Sequence, residues 1–189
     1  MKKVIVKSVI ITAILLVAVA IISIFTLTTF FPQTVSDLAF KVNDKKTCVK
    51  YQEKAYLKDN SFSNLVLLTE RAIWADDDEK VVIYAEKFIA DENFNSYATQ
   101  VDESYAYYIT SSYVISLYDE GYITKSIETA FNESNGFENL GPVHSLIAYA
   151  VNKSDKATLT TIKQKLTNYR GDAYATYLIS VIDEEINKL

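Results

Sequence analysis

Ser61 to Phe88 reads SFSNLVLLTERAIWADDDEKVVIYAEKF, the pattern of two helices around one acidic turn. Leu65, Leu68, Ala72 and Ala75 recur at three- and four-residue spacing, the interval that places side chains on one helical face. Asp76-Asp77-Asp78 interrupts them, and carboxylates there suit the start of a helix, where they complement the positive end of the macrodipole. Val81, Tyr84, Ala85 and Phe88 then resume the helical interval.

The same alternation extends outward. Of 4 Gly and 2 Pro in the 189 residues, none lies between Pro32 and Gly121, and long spans without breakers argue for helices. Asp102 to Asp119 reads as a longer helix, with Ile109, Tyr113 and Leu117 on one side and Ser104, Ser111 and Ser112 opposite. Gly121 suits the left-handed residue just past its end. Ile123, Ile127, Ala130 and Phe131 mark a shorter helix, and Asn132 to Gly141 a loop. Pro142 fits the first turn of the next helix. Ser154 or Asp155 caps one bearing Leu159, Ile162, Leu166 and Tyr169, which Gly171 closes. Asp172 opens the last, with Tyr174, Leu178, Val181 and Ile182 inward. No strand pair with a hairpin signal occurs, so the body is expected to be all-α, about seven or eight helices in antiparallel pairs.

Toward the N-terminus the composition changes. No charged residue lies between Lys7 and Asp37, and Val9 to Phe31 (VIITAILLVAVAIISIFTLTTFF) would extend ~34 Å as a helix, enough to cross a bilayer's hydrocarbon. The run is longer than a signal-peptide core, and the bulky residues Leu27, Phe30 and Phe31 replace a small-x-small cleavage pattern. An uncleaved signal-anchor is therefore expected, embedded in the lipid bilayer through residues 8–32. Residues 1–7 form a short basic cytoplasmic tail, 33–60 a basic juxtamembrane helical segment and 61–189 the helical domain. Lys2, Lys3 and Lys7 favour a cytoplasmic N-terminus and an extracytoplasmic body, although Lys41, Lys45, Lys46 and Lys50 blunt the asymmetry. Pro32 ends or kinks the membrane helix, and Ser36 is expected to cap a following helix with Leu38, Ala39 and Val42 on one side. This basic piece reads as the domain's first hairpin or as a contact for anionic headgroups.

The formal charge of -5 is unevenly spread. Residues 70–140 hold 15 acidic residues against Arg71, Lys80, Lys87 and Lys125, which repels phosphate backbones and argues against nucleic acid as a partner. The 1 Cys excludes an internal disulfide framework. His144, the 1 His, has no Cys or acidic cluster at metal-ligand spacing. A calcium loop counted from Asp76 would need Gly and Glu where Val81 and Lys87 stand. No Gly-rich phosphate loop and no Gly-x-Ser-x-Gly elbow occurs, so no catalytic residue, cofactor or metal is assigned. Asn132-Glu-Ser134 and Asn152-Lys-Ser154 match the glycosylation sequon.

Tyrosine density is the least ordinary feature. Tyr105, Tyr107, Tyr108 and Tyr122 are candidates for a partner-binding surface, since the ring is amphipathic and enriched at interfaces. Tyr113 and Tyr118 are placed toward the core by helical spacing.

Three turn-plus-helix segments superpose: DDDEKVVIYAEKFI (76–89), EGYITKSIETAF (120–131) and KSDKATLTTIKQKL (153–166), aligned on Lys80, Lys125 and Lys156. Across residues 61–169 this resembles the tetratricopeptide repeat, with Gly121-Tyr122 and Lys125-Ser126-Ile127-Glu128 the closest match. The spacing departs from a constant 34, the first-helix Trp-Leu-Gly-Tyr pattern is absent, and no Pro closes a repeat. The resemblance implies a solenoid-like helical-hairpin array, the rival being an irregular helical bundle. The expected function is that of a single-pass anchored protein with a protein-interaction domain, a scaffold or assembly factor at the cell envelope. The rival functions are a membrane-tethered carboxylate-dependent enzyme acting on envelope polymers, or the same body facing the cytoplasm.

Overall fold

The computed structural model describes residues 2–98, 103–134, 140–169 and 172–189, with side chains from Ile10 onward. Every regular element among the described residues is a helix: α1 (Lys2–Phe30), α2 (Pro32–Lys41), α3 (Lys45–Lys58), α4 (Phe62–Ala75), α5 (Asp78–Ala90), α6 (Phe94–Ser96), α7 (Glu103–Asp119), α8 (Ile123–Ser134), α9 (Gly141–Asn152), α10 (Lys156–Leu166) and α11 (Ala173–Lys188). The chain divides into two compact units, Met1–Arg71 and Ala72–Leu189.

In the first unit α1 runs unbroken from Lys2, so the basic leader belongs to the same helix as the apolar run. Its segment Ile10–Phe30 is long and apolar enough to cross a membrane, and none of it is buried against protein. Pro32 starts α2 at its first turn, where a missing N–H costs nothing. Helices α2 and α3 pair over Ala39, Cys48, Val49 and Ala55. Two expectations fail here. Ser36 does not cap α2, because Pro32 opens that helix four residues earlier; its buried hydroxyl instead donates to the Cys48 carbonyl of α3 at 2.9 Å. Leu38 and Val42 do not join Ala39 inward, Val42 being 74% exposed, because the face turned to α3 carries the small residues Ser36 and Ala39. Arg71, at the end of the unit, lies 3.5 Å from the Phe40 ring centroid and 3.4 Å from Asp37 Oδ1.

In the second unit α7 is the central element, packed against α5, α8 and α9, while α9 also meets α8, α10 and α11. Val114, Ile127, Leu146, Leu159, Ile162 and Leu178 belong to its continuous core. The inward stripe expected on α5 is buried complete: Val81, Tyr84, Ala85 and Phe88. On α7 the expected polar side is only partly so, since Ser111 is buried with its hydroxyl unpaired. Polar bridges tie the helices together. Ser116 Oγ donates to Asp78 Oδ1 of α5 at 2.6 Å, and Ser126 Oγ of α8 donates to the Val114 carbonyl at 2.7 Å.

Four helix–helix turns share one geometry. Each ends on a left-handed residue: Asn43 (φ 59°), Asp76 (φ 56°), Gly121 (φ 82°) and Ser154 (φ 56°). The N–H of that residue bonds the carbonyl three residues back, and the next N–H the carbonyl five back. The pairs are Asn43–Phe40 and Asp44–Ala39, Asp76–Ile73 and Asp77–Ala72, Gly121–Tyr118 and Tyr122–Leu117, Ser154–Val151 and Asp155–Ala150. This double bond satisfies the carbonyls a helix C-terminus leaves open. The turns are 33, 45 and 33 residues apart. They align Lys80 with Lys125 and with Thr158, two residues beyond the Lys156 used in the sequence superposition, because Ser154 occupies a left-handed position without a glycine to mark it. Five residues after each turn residue stands a buried side chain: Cys48, Val81, Ser126 and Leu159.

Three of the four turns continue into an aspartate cap. Asp44, Asp77 and Asp155 accept from the N–H of Thr47, Lys80 and Thr158 at 3.1, 3.3 and 3.0 Å. The corresponding residue of the third turn is Tyr122, which has no carboxylate, although its carbonyl accepts the first helical bond from Ser126 N at 2.8 Å. Tyr122→Asp is therefore expected to stabilise the chain by about 1 kcal/mol, the worth of an added N-cap. Urea unfolding followed by circular dichroism checks it, and an unchanged or lower midpoint refutes it.

Of the loop expected over Asn132 to Gly141, Asn132 to Ser134 instead continue α8 and Gly141 opens α9, while residues 135–139, like Asp102 and Gly171, lie outside the described residues. Pro142 and Asp172 stand where expected, at the first turn of α9 and capping α11, with Asp172 Oδ1 accepting from Tyr174 N and Ala175 N.

Candidate functional site

Helices α7 and α9 run side by side in the same direction. Near their N-terminal ends the Tyr107 hydroxyl lies 3.0 Å from Ser145 Oγ, and near their C-terminal ends Tyr149 bonds Asp119. Gly141 permits the upper contact: a Cβ there would stand 2.2 Å from Tyr107 Cε2. Helix α11 extends the row, its Tyr174 hydroxyl 2.9 Å from His144 Nδ1 and its Tyr174 ring 5.8 Å from Tyr177. Burial, then the nearby Tyr177 and Tyr107, push the Tyr174 phenol above its ordinary value. Three helices thus present one face bearing Tyr107, Ser145, His144, Tyr174 and Tyr177, the last 55% exposed.

The four tyrosines singled out in the sequence do not form one cluster. Tyr107 joins the three-helix face, and Tyr108, 44% exposed, stands beside it on α7. Tyr105 is half-buried, 6.1 Å from Tyr108 and 6.3 Å from Tyr97 by ring centroid. Tyr122 is exposed, but at the far end of α7, ~20 Å along the helix axis from Tyr107. Sequence reasoning missed His144, Ser145, Tyr174 and Tyr177 as members of the face. The 30 residues between His144 and Tyr174 carry no local signal; only the side-by-side packing of α9 and α11 unites the two pairs.

At the lower end of α7 the Tyr118 hydroxyl donates to Asp155 Oδ2 at 2.6 Å, which also accepts from Thr158 Oγ1 at 2.6 Å. Burial and then the Asp155 bond push Tyr118 up to about 12. For Asp155, burial alone would raise the carboxyl, but the bonds from Thr158, Tyr118 and the Thr158 and Ala157 amides together hold it below the usual range. This cluster ties the α9–α10 turn to α7, a structural duty.

The other chemical candidates stand apart. Cys48 is fully buried, 3.5 Å from Ser36 Oγ. His144 is exposed and bonded to Tyr174. Among the described residues no group of three or more His, Cys, Asp or Glu side chains could hold a metal ion. Within the sequons, Asn132 lies inside α8 with Ser134 buried, whereas Asn152 and Ser154 flank an exposed turn. No protein-family model, curated protein or solved structure matches the chain.

Proposed function

We propose that this is a single-pass membrane-anchored protein whose helical body docks other proteins at the cell envelope, with α1 as the permanent anchor and the body outside the cytoplasm. The observation that carries the docking role is the tyrosine–histidine face of α7, α9 and α11. Rigid amphipathic rings on packed helices supply contact area at small entropic cost. The anchor role rests on Ile10–Phe30, an apolar helix none of which is buried. Extracytoplasmic orientation rests on Lys2, Lys3 and Lys7 ahead of the span. The body is proposed to be a degenerate tetratricopeptide-like array, a reading supported by hairpin turns of one backbone geometry, two of their three spacings being 33 residues and the other 45.

A photo-crosslinking residue at position 108 or 177, in native membranes, tests the docking role. The expected result is one discrete adduct from either position and none from Glu128, on α8, with Tyr108→Ala plus Tyr177→Ala reducing the yield from a probe at Ser104 at least tenfold. Equal labelling from position 128 refutes it. Protease added to intact cells or spheroplasts is expected to remove the body and spare α1; full protection places the body in the cytoplasm instead.

A further inference from the structure

Where α1 gives way to α2, the first unit holds a cleft of about 470 Å³, within the range of small-molecule sites. Its apolar wall is Phe30, Phe31 and Pro32, and its polar side carries Lys58, Asp37 and Asp59. The cleft therefore opens at the last apolar turn of α1. A 21-residue helix spans ~32 Å, the thickness of a bilayer's hydrocarbon, so a chain anchored by Ile10–Phe30 holds this cleft at the depth of the lipid phosphates.

The charges there are specific. Lys58 Nζ donates to the Phe30 carbonyl at 3.0 Å, which fixes an ammonium beside the end of the apolar helix. Lys58 also ends an exposed ridge, Lys46, Lys50, Lys54 and Lys58, spaced four residues apart along α3. Asp37 faces Arg71 at 3.4 Å and remains half-exposed, and Asp59 accepts from Asn64 Nδ2 at 3.0 Å. Lys58, Asp59 and the half-exposed Asp37, whose other neighbour is Arg71, stand around an apolar mouth and suit a ligand that carries a phosphate, a primary ammonium and a hydrocarbon tail.

We propose that this cleft binds the headgroup of an aminophospholipid, phosphatidylethanolamine by chemistry. Lys58 takes the phosphate, the Asp37 and Asp59 carboxylates accept N–H bonds from the ammonium, and Phe30 and Phe31 flank the glycerol and first methylenes. Phosphatidylglycerol lacks the ammonium, and the methylated ammonium of phosphatidylcholine has no N–H to donate. The inference rests on α1 being a membrane anchor.

The test uses the full chain in nanodiscs of phosphatidylcholine doped with equal phosphatidylethanolamine and phosphatidylglycerol, released into detergent for native mass spectrometry. The expected result is one retained phosphatidylethanolamine, about tenfold over phosphatidylglycerol, the discrimination of one charge-assisted hydrogen bond. Asp37→Asn is expected to abolish the preference, whereas Lys58→Gln is expected to lower retention of phosphatidylethanolamine and phosphatidylglycerol alike, both leaving the helical circular dichroism unchanged; a preference that survives Asp37→Asn overturns the assignment. Phosphoethanolamine in solution is expected not to displace the lipid; displacement overturns the lipid assignment in favour of a soluble ligand. Equal retention of the three lipids by a chain that resists alkaline extraction overturns the cleft and leaves the anchor standing. Alkaline extraction of the chain from membranes overturns both.

Discussion

Phe88→Ala is expected to cost about 3–5 kcal/mol, the cost of emptying a ring-sized site in a packed core. Phe88 is fully buried on α5, and its ring meets Phe94 and Tyr97 edge-on at centroid distances of 5.2 and 5.8 Å. Edge-to-face pairs add to area burial, and neither partner can fill the void without leaving its own packing. Marginal stabilities of 5–15 kcal/mol make such a loss a large fraction of the whole. Urea unfolding of the full chain in detergent, followed at 222 nm by circular dichroism, is the measurement. A loss under about 1 kcal/mol would show that the α5–α6 region relaxes into the space. The substitution reaches the surface as well. Tyr97 supports Tyr105, which supports Tyr108, so the variant is also expected to weaken crosslinking from position 108.

Asp155→Ala is the second large effect, about 2–3 kcal/mol. It removes an N-cap worth about 1 kcal/mol and strands the half-buried Tyr118 hydroxyl, whose lost partner is worth about 1–2 kcal/mol. The pH dependence has two limbs. The Asp155 carboxyl lies lower in the folded chain than in the unfolded one, so its contribution is present above the unfolded value of about 3.9 and is lost as pH falls through the folded value. The Tyr118 phenol lies higher, about 12, so its contribution is complete below the unfolded value of about 10 and disappears as pH rises through 12. In Asp155→Ala its share of the acid limb should vanish, while that of Asp44 at the equivalent cap remains. Tyr118 should then titrate below 12 yet above an ordinary tyrosine, because burial, the larger cause, remains. Difference absorbance of phenolate across the alkaline range resolves this. A Tyr118 titration unchanged by the substitution would mean that burial alone sets it.

The parts of the fold legible in the sequence are those with a local cause. Asp77 and Asp78 at the head of α5, Gly121 after α7, Pro142 at the head of α9 and Asp172 before α11 each act through backbone groups a few residues away, and each stands as expected, whereas Asp76 is the left-handed residue that closes α4. Ser36, Leu38 and Val42 were illegible because burial in a short amphipathic helix depends on which neighbour arrives. The small Ser36 and Ala39 admit α3, and the larger residues are left outside. Ser154 hid the register of the last hairpin, since a serine at positive φ looks like any loop serine. The three-helix face required residues on α7, α9 and α11 to be brought side by side, a tertiary fact beyond the reach of helical periodicity.

The shared turn geometry also governs how the chain would acquire its structure. Each hairpin is sealed by bonds spanning three and five residues, so closing it costs little loop entropy and needs no distant part of the chain. Hairpins of this kind can therefore form in the order they leave the ribosome. The slower event is the lateral docking that carries Tyr107 to Ser145 and Tyr118 to Asp155, contacts 38 and 37 residues apart. Residues on the α7–α9 seam should set the folding rate, whereas the caps at the turns should chiefly set the rate of unfolding.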